Sequence, residues 1–151
     1  MIKIICFGKI KETYLEEAIK DYQKRLEKYT KLKVIELKDE KDENPKIALK
    51  KEKESLKKIL KPQDNIIILD IKGQNFNSPE FANYINKELV YNNNITFVIG
   101  SSNGLDEEIK KLTSKKISFS PLTFPHGLFR LILLEQLYRS FKILNNESYH
   151  K

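Results

Sequence analysis

Two segments of the chain are almost uninterrupted runs of apolar residues, without the polar alternation of a strand that faces water. Residues 65–71 read NIIILDI, and residues 95–99 read ITFVI. Strands of this kind are covered on both faces, as in a parallel sheet between two layers of helices. These two segments therefore predict an α/β fold with a mostly parallel sheet, and they restrict the possible folds more than any other feature of the sequence.

The rest of the chain switches between strand-like and helix-like periodicity. Further strands are predicted at residues 2–7, 33–37 and 116–119, and helices at residues 14–29, 46–60, 79–89, 106–112 and 125–144. Ser78 is the expected N-cap of the third helix, and the segments DEKDEN with Pro45 and GQNFN are expected loops. Strands that alternate with helices, without repeats or linkers, predict one α/β domain over residues 1–151, its sheet flanked by helices.

Composition excludes several classes of protein. The single cysteine, Cys6, rules out an internal disulfide and a cysteine-rich metal site, so no metal is expected. The longest apolar runs are too short to cross a bilayer, and the N-terminal segment MIKIICFGK does not resemble a signal peptide. We therefore expect a cytoplasmic protein without a membrane partner.

The positive charge is concentrated near the C-terminus. The formal net charge is +7, and residues 110–151 contain eight Lys or Arg against only Glu135 and Glu147. The last 42 residues thus carry +6 of the +7. This asymmetry suits a polyanionic partner such as RNA, because phosphates attract clustered cations. The alternative is that basic helix ends only keep the protein soluble.

Three loops are candidates for a ligand site, because ligands of open parallel sheets bind beyond the carboxyl ends of the strands. These loops follow Leu69, Ile99 and Phe119. In the second loop, GSSNG, Gly100 would let the backbone approach a ligand and Gly104 could adopt a positive φ. An ordinary strand-to-helix turn would have the same sequence, so both interpretations stay open.

The third loop, SFSPLTFPH, contains two prolines that stiffen the chain before a helix. Its backbone groups could read the edges of a base, or the loop could be only a tight connection. In the helix that follows, Glu135 precedes Arg139 by four residues, which favours an ion pair. The tail ends in Tyr149 and His150, which are unusual in a segment that normally frays, although a disordered tail is the simpler interpretation.

Several motifs together match a known family. The segments FVIGSSNGL, SFSPLTFPHGLFRLILLEQLYRSFKI and ESYHK, in that order, resemble the bacterial pseudouridine N(3)-methyltransferases of the SPOUT class. The likeness also covers IKIICFGKIKE and PQDNIIILDIKG, and therefore nearly the whole chain.

This resemblance implies a SPOUT-type domain with a C-terminal trefoil knot that binds S-adenosylmethionine. It also implies a homodimer that methylates 23S ribosomal RNA, with assembled ribosomes as the favoured substrate. The family's cofactor contacts fall on residues of the three loops: Leu69, Gly100, Phe119, Ser120, Pro121, Leu122, Thr123 and Phe124. The resemblance places Arg139, Tyr149 and His150 near the target nucleotide.

The reaction requires that a uracil ring nitrogen lose its proton before or during attack on the methyl group. A cation can stabilise the anionic base and a neutral imidazole can accept the proton, so Arg139 and His150 are the candidates for these roles. Tyr149 would stack on the nucleotide or hydrogen-bond to it. Two other functions stay open: an RNA-binding ribosome factor without catalysis, and a small-molecule α/β enzyme, which no Walker lysine motif supports.

Overall fold

The computed structural model describes residues 1–151 as five strands and five helices that alternate along the chain. The strands are β1 (Ile2–Phe7), β2 (Leu32–Leu37), β3 (Ile66–Asn75), β4 (Ile95–Ile99) and β5 (Lys116–Ser118). The helices are α1 (Thr13–Leu26), α2 (Pro45–Lys57), α3 (Ser78–Asn92), α4 (Glu107–Lys110) and α5 (His126–Leu144). None of the helices combines the length and apolarity required to span a membrane.

The sheet is entirely parallel, which confirms the predicted α/β fold. Its strand order is β2-β1-β4-β3-β5. Phe97 of β4 is in register with Ile4 of β1 and with Ile67 of β3. Because β4, β3 and β5 are neighbours and run in the same direction, the three loops that follow them emerge side by side at one edge of the sheet.

Both faces of the sheet are covered, as the unalternated strands predicted. Alternate strand residues point to opposite faces. Ile4, Ile67 and Phe97 pack under α1, α3 and α5, whereas Ile5, Ile68 and Val98 pack under α2 and α4. All six side chains have 0% exposure. The two layers of helices explain why these strands carry so few polar residues.

The segment GQNFN was predicted to be a turn, and this prediction is wrong for its first three residues. β3 continues through Gly73 and Gln74 to Asn75, and its pairing with β5 resumes at Gln74 after an irregularity that begins beyond Leu69. A Cβ at position 73 would lie 2.6 Å from the backbone of Ile117. Glycine is therefore needed here because two strands approach closely, which its usual association with turns did not reveal.

Several predicted helix boundaries also shift by a few residues. Pro45 is the first residue of α2 and not part of the loop, because Asn44 caps this helix by accepting a hydrogen bond from the Lys46 amide at 3.0 Å. Asn77, not Ser78, caps α3, in a reciprocal capping box with Glu80. Four other elements end earlier than predicted, α1 at residue 26, α2 at residue 57, α4 at residue 110 and β5 at residue 118. By contrast, α3 extends to residue 92, and Pro125 is the N-cap of α5.

Arg130 ties the first turns of α5 to the sheet. Its side chain is nearly inaccessible, and Nη1 donates to Glu36 Oε2 at 2.6 Å while Nη2 donates to the Gly8 carbonyl at 3.0 Å. Glu36 and Gly8 lie at the carboxyl ends of β2 and β1. A buried guanidinium needs such acceptors, so this contact fixes where α5 begins relative to the strand ends.

Candidate cofactor pocket and C-terminal cluster

A cavity of about 610 Å³ lies at the carboxyl ends of β3, β4 and β5. Its lining consists of residues from the three loops, from α4 and from the start of α5: Leu69–Ile71, Ile99–Leu105, Lys110, Ile117–Ser120, Leu122–His126 and Phe129. Cavities of this size accommodate cofactors and drug-sized ligands. The three loops that the sheet rule selected from the sequence thus enclose one pocket.

Seven of the eight residues that the resemblance assigned to the cofactor line this cavity: Leu69, Gly100, Phe119, Ser120, Leu122, Thr123 and Phe124. Pro121 lies in the same loop but is not part of the lining. Two apolar side chains of the lining are strongly exposed, Ile71 at 52% and Leu122 at 69%. Exposed apolar surface around a concave site is a common property of binding pockets.

The second loop is a tight turn closed by its own backbone. The Ser101 amide donates to the Gly104 carbonyl at 3.0 Å, and the Gly104 amide donates to the Ser101 carbonyl at 2.8 Å. Gly104 has a φ of +81°, as expected. A Cβ on Gly100 would lie 2.6 Å from the Gly104 carbonyl oxygen. Gly100 is therefore required first for closure of the turn, not only for approach of a ligand.

The third loop is stabilised by two side-chain hydrogen bonds to its backbone. Ser118 Oγ donates to the Ser120 carbonyl at 3.0 Å, and the Leu122 amide donates to Ser120 Oγ at 2.9 Å. Phe119 packs edge-on against Phe81, with ring centroids 5.5 Å apart. These contacts hold the loop against the core formed by α3 and α5 and give the pocket a defined wall.

His126 contributes a neutral imidazole to the pocket lining. Burial lowers the pKa of His126 below its ordinary value, and its Nε2 is buried without a hydrogen-bond partner. Asp70 and Lys110, with Oδ2 and Nζ 3.7 Å apart, add an ion pair to the lining. Neither Asp70 nor Lys110 was identified from the sequence, although Asp70 directly follows Leu69.

The three predicted catalytic residues form a separate cluster at the C-terminal end of α5. Arg139 donates to Glu135 Oε1 from Nε at 3.1 Å and from Nη2 at 2.7 Å, which confirms the predicted ion pair. Its Nη1 lies 3.1 Å from His150 Nδ1. Tyr149 also donates to Glu135 Oε1, at 3.1 Å. The tail is therefore docked on its own helix, and the disordered alternative is wrong.

Aromatic packing and a second carboxylate hold the tail in place. The ring of Tyr149 is edge-on to Tyr138 with centroids 4.9 Å apart, and its hydroxyl lies 3.3 Å from that of Tyr22. Burial, together with Tyr22 and Glu135, raises the pKa of Tyr149 above its ordinary value, so the phenol stays protonated. Glu147 accepts hydrogen bonds from Tyr29 at 2.8 Å and from Lys142 at 2.6 Å.

Within one chain, the pocket and the C-terminal cluster lie apart. Phe129 lines the pocket and Arg139 belongs to the cluster, ten positions later on the same helix. At 1.5 Å per residue, the separation along the helix axis is roughly 15 Å. A single chain therefore does not bring its predicted catalytic residues to its own predicted cofactor site.

The concentration of positive charge supports an RNA partner less strongly than the sequence alone suggested. Five of the eight basic residues at positions 110–151 form ion pairs within the chain: Lys110, Lys115, Arg130, Arg139 and Lys142. Only Lys111, Lys116 and Lys151 remain without such a partner. No group of three or more His, Cys, Asp or Glu side chains is arranged to hold a metal ion.

Comparison with known proteins identifies the family. A family model described as "Predicted SPOUT methyltransferase" matches residues 1–150. Proteins named "Ribosomal RNA large subunit methyltransferase H" from Caldicellulosiruptor saccharolyticus and Malacoplasma penetrans are 46% and 48% identical to the chain, with 99–100% of both sequences covered. A relative of that name from Clostridium perfringens is 48% identical, with 99% of both sequences covered. The full-length match and the pocket at the carboxyl ends of a parallel sheet lead to one conclusion: the chain belongs to the SPOUT methyltransferase family.

Proposed function

We propose that the protein transfers the methyl group of S-adenosylmethionine to nitrogen 3 of a pseudouridine in 23S ribosomal RNA. The observation that carries the proposal is the pocket, because seven of the eight positions expected to contact the cofactor line one cavity. The names of the three relatives support ribosomal RNA of the large subunit as the substrate. We extend the proposal to assembled ribosomes as the substrate and the cytoplasm as the location.

The pocket suits the chemistry of S-adenosylmethionine. Its volume of about 610 Å³ is sufficient for a nucleoside with an amino acid side chain. Exposed apolar side chains, Ile71 and Leu122, can cover an adenine ring, and the backbone of the Ser120–Phe124 segment can hydrogen-bond to its edge. The lining also contains the Asp70–Lys110 ion pair, whose carboxylate and ammonium groups can hydrogen-bond to polar groups of the ligand.

When bound, the cofactor supplies an activated methyl group on a sulfonium sulfur. The protein therefore has to hold the nucleotide in line with that group and favour loss of the proton from the ring nitrogen. Pocket residues such as Gly100 and Phe119 are expected to position the cofactor and exclude water. The C-terminal cluster is expected to bind the nucleotide and to accept the proton.

His150 accepts a hydrogen bond from Arg139. A guanidinium has only donors, so Nδ1 must be the acceptor and the neutral ring carries its proton on Nε2. We propose that nucleotide binding turns Arg139 toward the base. The imidazole then accepts the proton of the ring nitrogen at Nδ1, while the guanidinium stabilises the negative charge that develops on the base. Tyr149 remains a hydrogen-bonding and stacking group.

A homodimer is part of the proposal, because the roughly 15 Å between pocket and cluster has to be bridged. We propose that the C-terminal cluster of one subunit completes the pocket of its partner. The apolar segment 131–134 of α5 is the candidate contact surface of this dimer. Leu133 and Leu134 have 0% exposure within the chain, so Leu131 and Ile132 are the members of the segment left to contribute. We also propose that residues 1–151 act as one domain whose C-terminal part forms the trefoil knot.

Mass spectrometry of ribosomal RNA tests this function. In a strain that lacks the gene, we expect one methyl group to be missing from a pseudouridine of 23S ribosomal RNA, and the purified protein with S-adenosylmethionine should restore it on ribosomes from that strain. Unchanged RNA would contradict the proposal. Restoration on free 23S RNA but not on ribosomes would contradict the proposed substrate form.

The second candidate function is that of an RNA-binding factor without catalysis, and one observation favours it. Its only support is the three basic side chains of residues 110–151 that form no ion pair within the chain, Lys111, Lys116 and Lys151. Such a factor has no need for the pocket, so isothermal calorimetry with S-adenosylmethionine separates the two functions. Micromolar binding supports the methyltransferase, and no binding supports the RNA-binding factor.

A further inference from the structure

A side chain from the layer of helices on the face of the sheet opposite α5 contacts a residue that lines the cofactor pocket. Glu52 belongs to α2, which covers the face of the sheet away from α5, and it is only 2% exposed. Its Oε2 accepts a hydrogen bond from Ser101 Oγ at 2.7 Å, and its Oε1 accepts one from the Glu40 amide at 3.2 Å. Neither donor is a cation, and a buried carboxylate without one is costly.

Ser101 makes the hydrogen bonds that organise the Gly100–Gly104 turn. Its hydroxyl donates to Glu52 and accepts a hydrogen bond from the Asn103 amide at 3.3 Å, so both of its functions are used. Its backbone makes the two hydrogen bonds with Gly104 that close the turn. Fixing this one side chain therefore fixes the position of a turn whose five residues all line the pocket.

We infer that Glu52 and Ser101 are positioning residues for the cofactor, and we call their hydrogen bond the Glu52–Ser101 latch. The latch rests on the proposed function, since it presumes that the pocket binds S-adenosylmethionine. It holds the Gly100–Gly104 turn in its binding conformation before the cofactor arrives. A turn ordered in advance lowers the entropic cost of binding, so the latch should act on affinity and not on the transfer step.

The main test compares Ser101→Ala with the wild-type protein. The variant keeps the volume of the turn but removes the donor, so the dissociation constant and the KM for S-adenosylmethionine should rise about tenfold with kcat within about twofold. Glu52→Ala should have the same effect, and the double variant should be no weaker than either single variant, because both remove one interaction. Glu52→Gln keeps one acceptor for the Glu40 amide, and its Nε2 can donate to Ser101 Oγ, so the contact with the turn persists with its direction reversed. This variant should remain within about threefold of wild type.

Controls separate the latch from folding and from the proposed function. Glu54→Ala removes a carboxylate from the exposed side of α2 and should leave the dissociation constant unchanged. Amide hydrogen exchange of residues 100–105, measured without cofactor, should accelerate in Ser101→Ala but not in Glu54→Ala. Unchanged affinity and unchanged exchange in Ser101→Ala would overturn the latch, as would additive losses in the double variant. If the wild type does not bind S-adenosylmethionine, the proposed cofactor is wrong, and the exchange result alone decides whether the latch orders the turn.

Discussion

Arg139 Nη1 donates a hydrogen bond to His150 Nδ1 over 3.1 Å, and this contact fixes both the position and the tautomer of the imidazole. The same guanidinium is held from the other side by Glu135. The C-terminal residues are thus held in place by contacts with α5. Their arrangement leads to the first prediction.

His150→Ala should lower kcat for methyl transfer by about 10²- to 10⁴-fold, the usual loss when a positioned proton acceptor is removed. His150→Gln can still hydrogen-bond to Arg139 but cannot accept the proton, so it should be about as slow. Single-turnover methylation of ribosomes with saturating cofactor measures the transfer step. Near-normal turnover by His150→Gln would mean that the residue only orients the nucleotide.

Gly100→Ala should abolish cofactor binding while the protein remains folded. Even a methyl group would strike the Gly104 carbonyl at 2.6 Å, and the turn would have to open. Gly104→Ala is the matched control, since a Cβ there meets nothing within 4 Å. Its φ of +81° should cost roughly 1 kcal/mol of stability and weaken binding only modestly. Calorimetry with S-adenosylmethionine and thermal unfolding compare the two, and equal affinities would contradict the prediction.

Deletion of residues 148–151 should leave cofactor binding intact and reduce methyl transfer by at least about a hundredfold. Loss of the Tyr149–Tyr138 contact should also lower stability, by about 0.5–1.5 kcal/mol. Tyr149→Phe is the control variant for this packing, because it keeps the contact with Tyr138 and loses only the hydroxyl contacts with Tyr22 and Glu135. A truncated protein that methylates ribosomes at the wild-type rate would show that the tail has no catalytic role.

Mixing two inactive variants tests whether the site is shared between subunits. Gly100→Ala has an intact tail, and the truncated chain has an intact pocket. After dissociation and reassociation, half of the dimers should be mixed and each should contain one complete site, giving about a quarter of the wild-type activity. Sedimentation should confirm that the mixture is dimeric. No recovery of activity in a mixed dimer would show that each subunit uses its own tail.

Glu52→Gln should change how stability depends on pH. Burial raises the pKa of Glu52 above its ordinary value, and the nearby Asp39 adds to this, so the folded state disfavours the carboxylate. The cost is absent below the unfolded pKa of 4.5, grows as pH rises, and is complete above the folded pKa. Relative to Glu52→Gln, the wild-type protein should therefore lose stability as pH rises from 4 to 8. Urea unfolding at several pH values measures the difference, and a difference that does not vary with pH would contradict the shift.

The sequence by itself determined the class of fold and the edge of the sheet where the pocket lies. The apolar runs at residues 65–71 and 95–99 indicate strands that are covered on both faces, and this property can be seen in the local sequence of each strand. Because parallel strands share a direction, the loops after Leu69, Ile99 and Phe119 had to be the candidates. The motif resemblance implied which eight residues of those loops contact the cofactor, and seven of these eight line the cavity.

Only the tertiary structure decided which strands are neighbours and which distant side chains meet. Periodicity records that a residue is buried but not against what, so the order β2-β1-β4-β3-β5 and the approach of Ile117 to Gly73 could not be predicted. The same holds for Glu52, one of several charged residues in the predicted helix 46–60, which hydrogen-bonds to Ser101 across 49 positions of sequence. It also holds for Tyr149, whose hydroxyl lies 3.3 Å from that of Tyr22 in α1, 127 positions away. Contacts over such separations depend on how the chain is folded in space, because no local pattern specifies the partner.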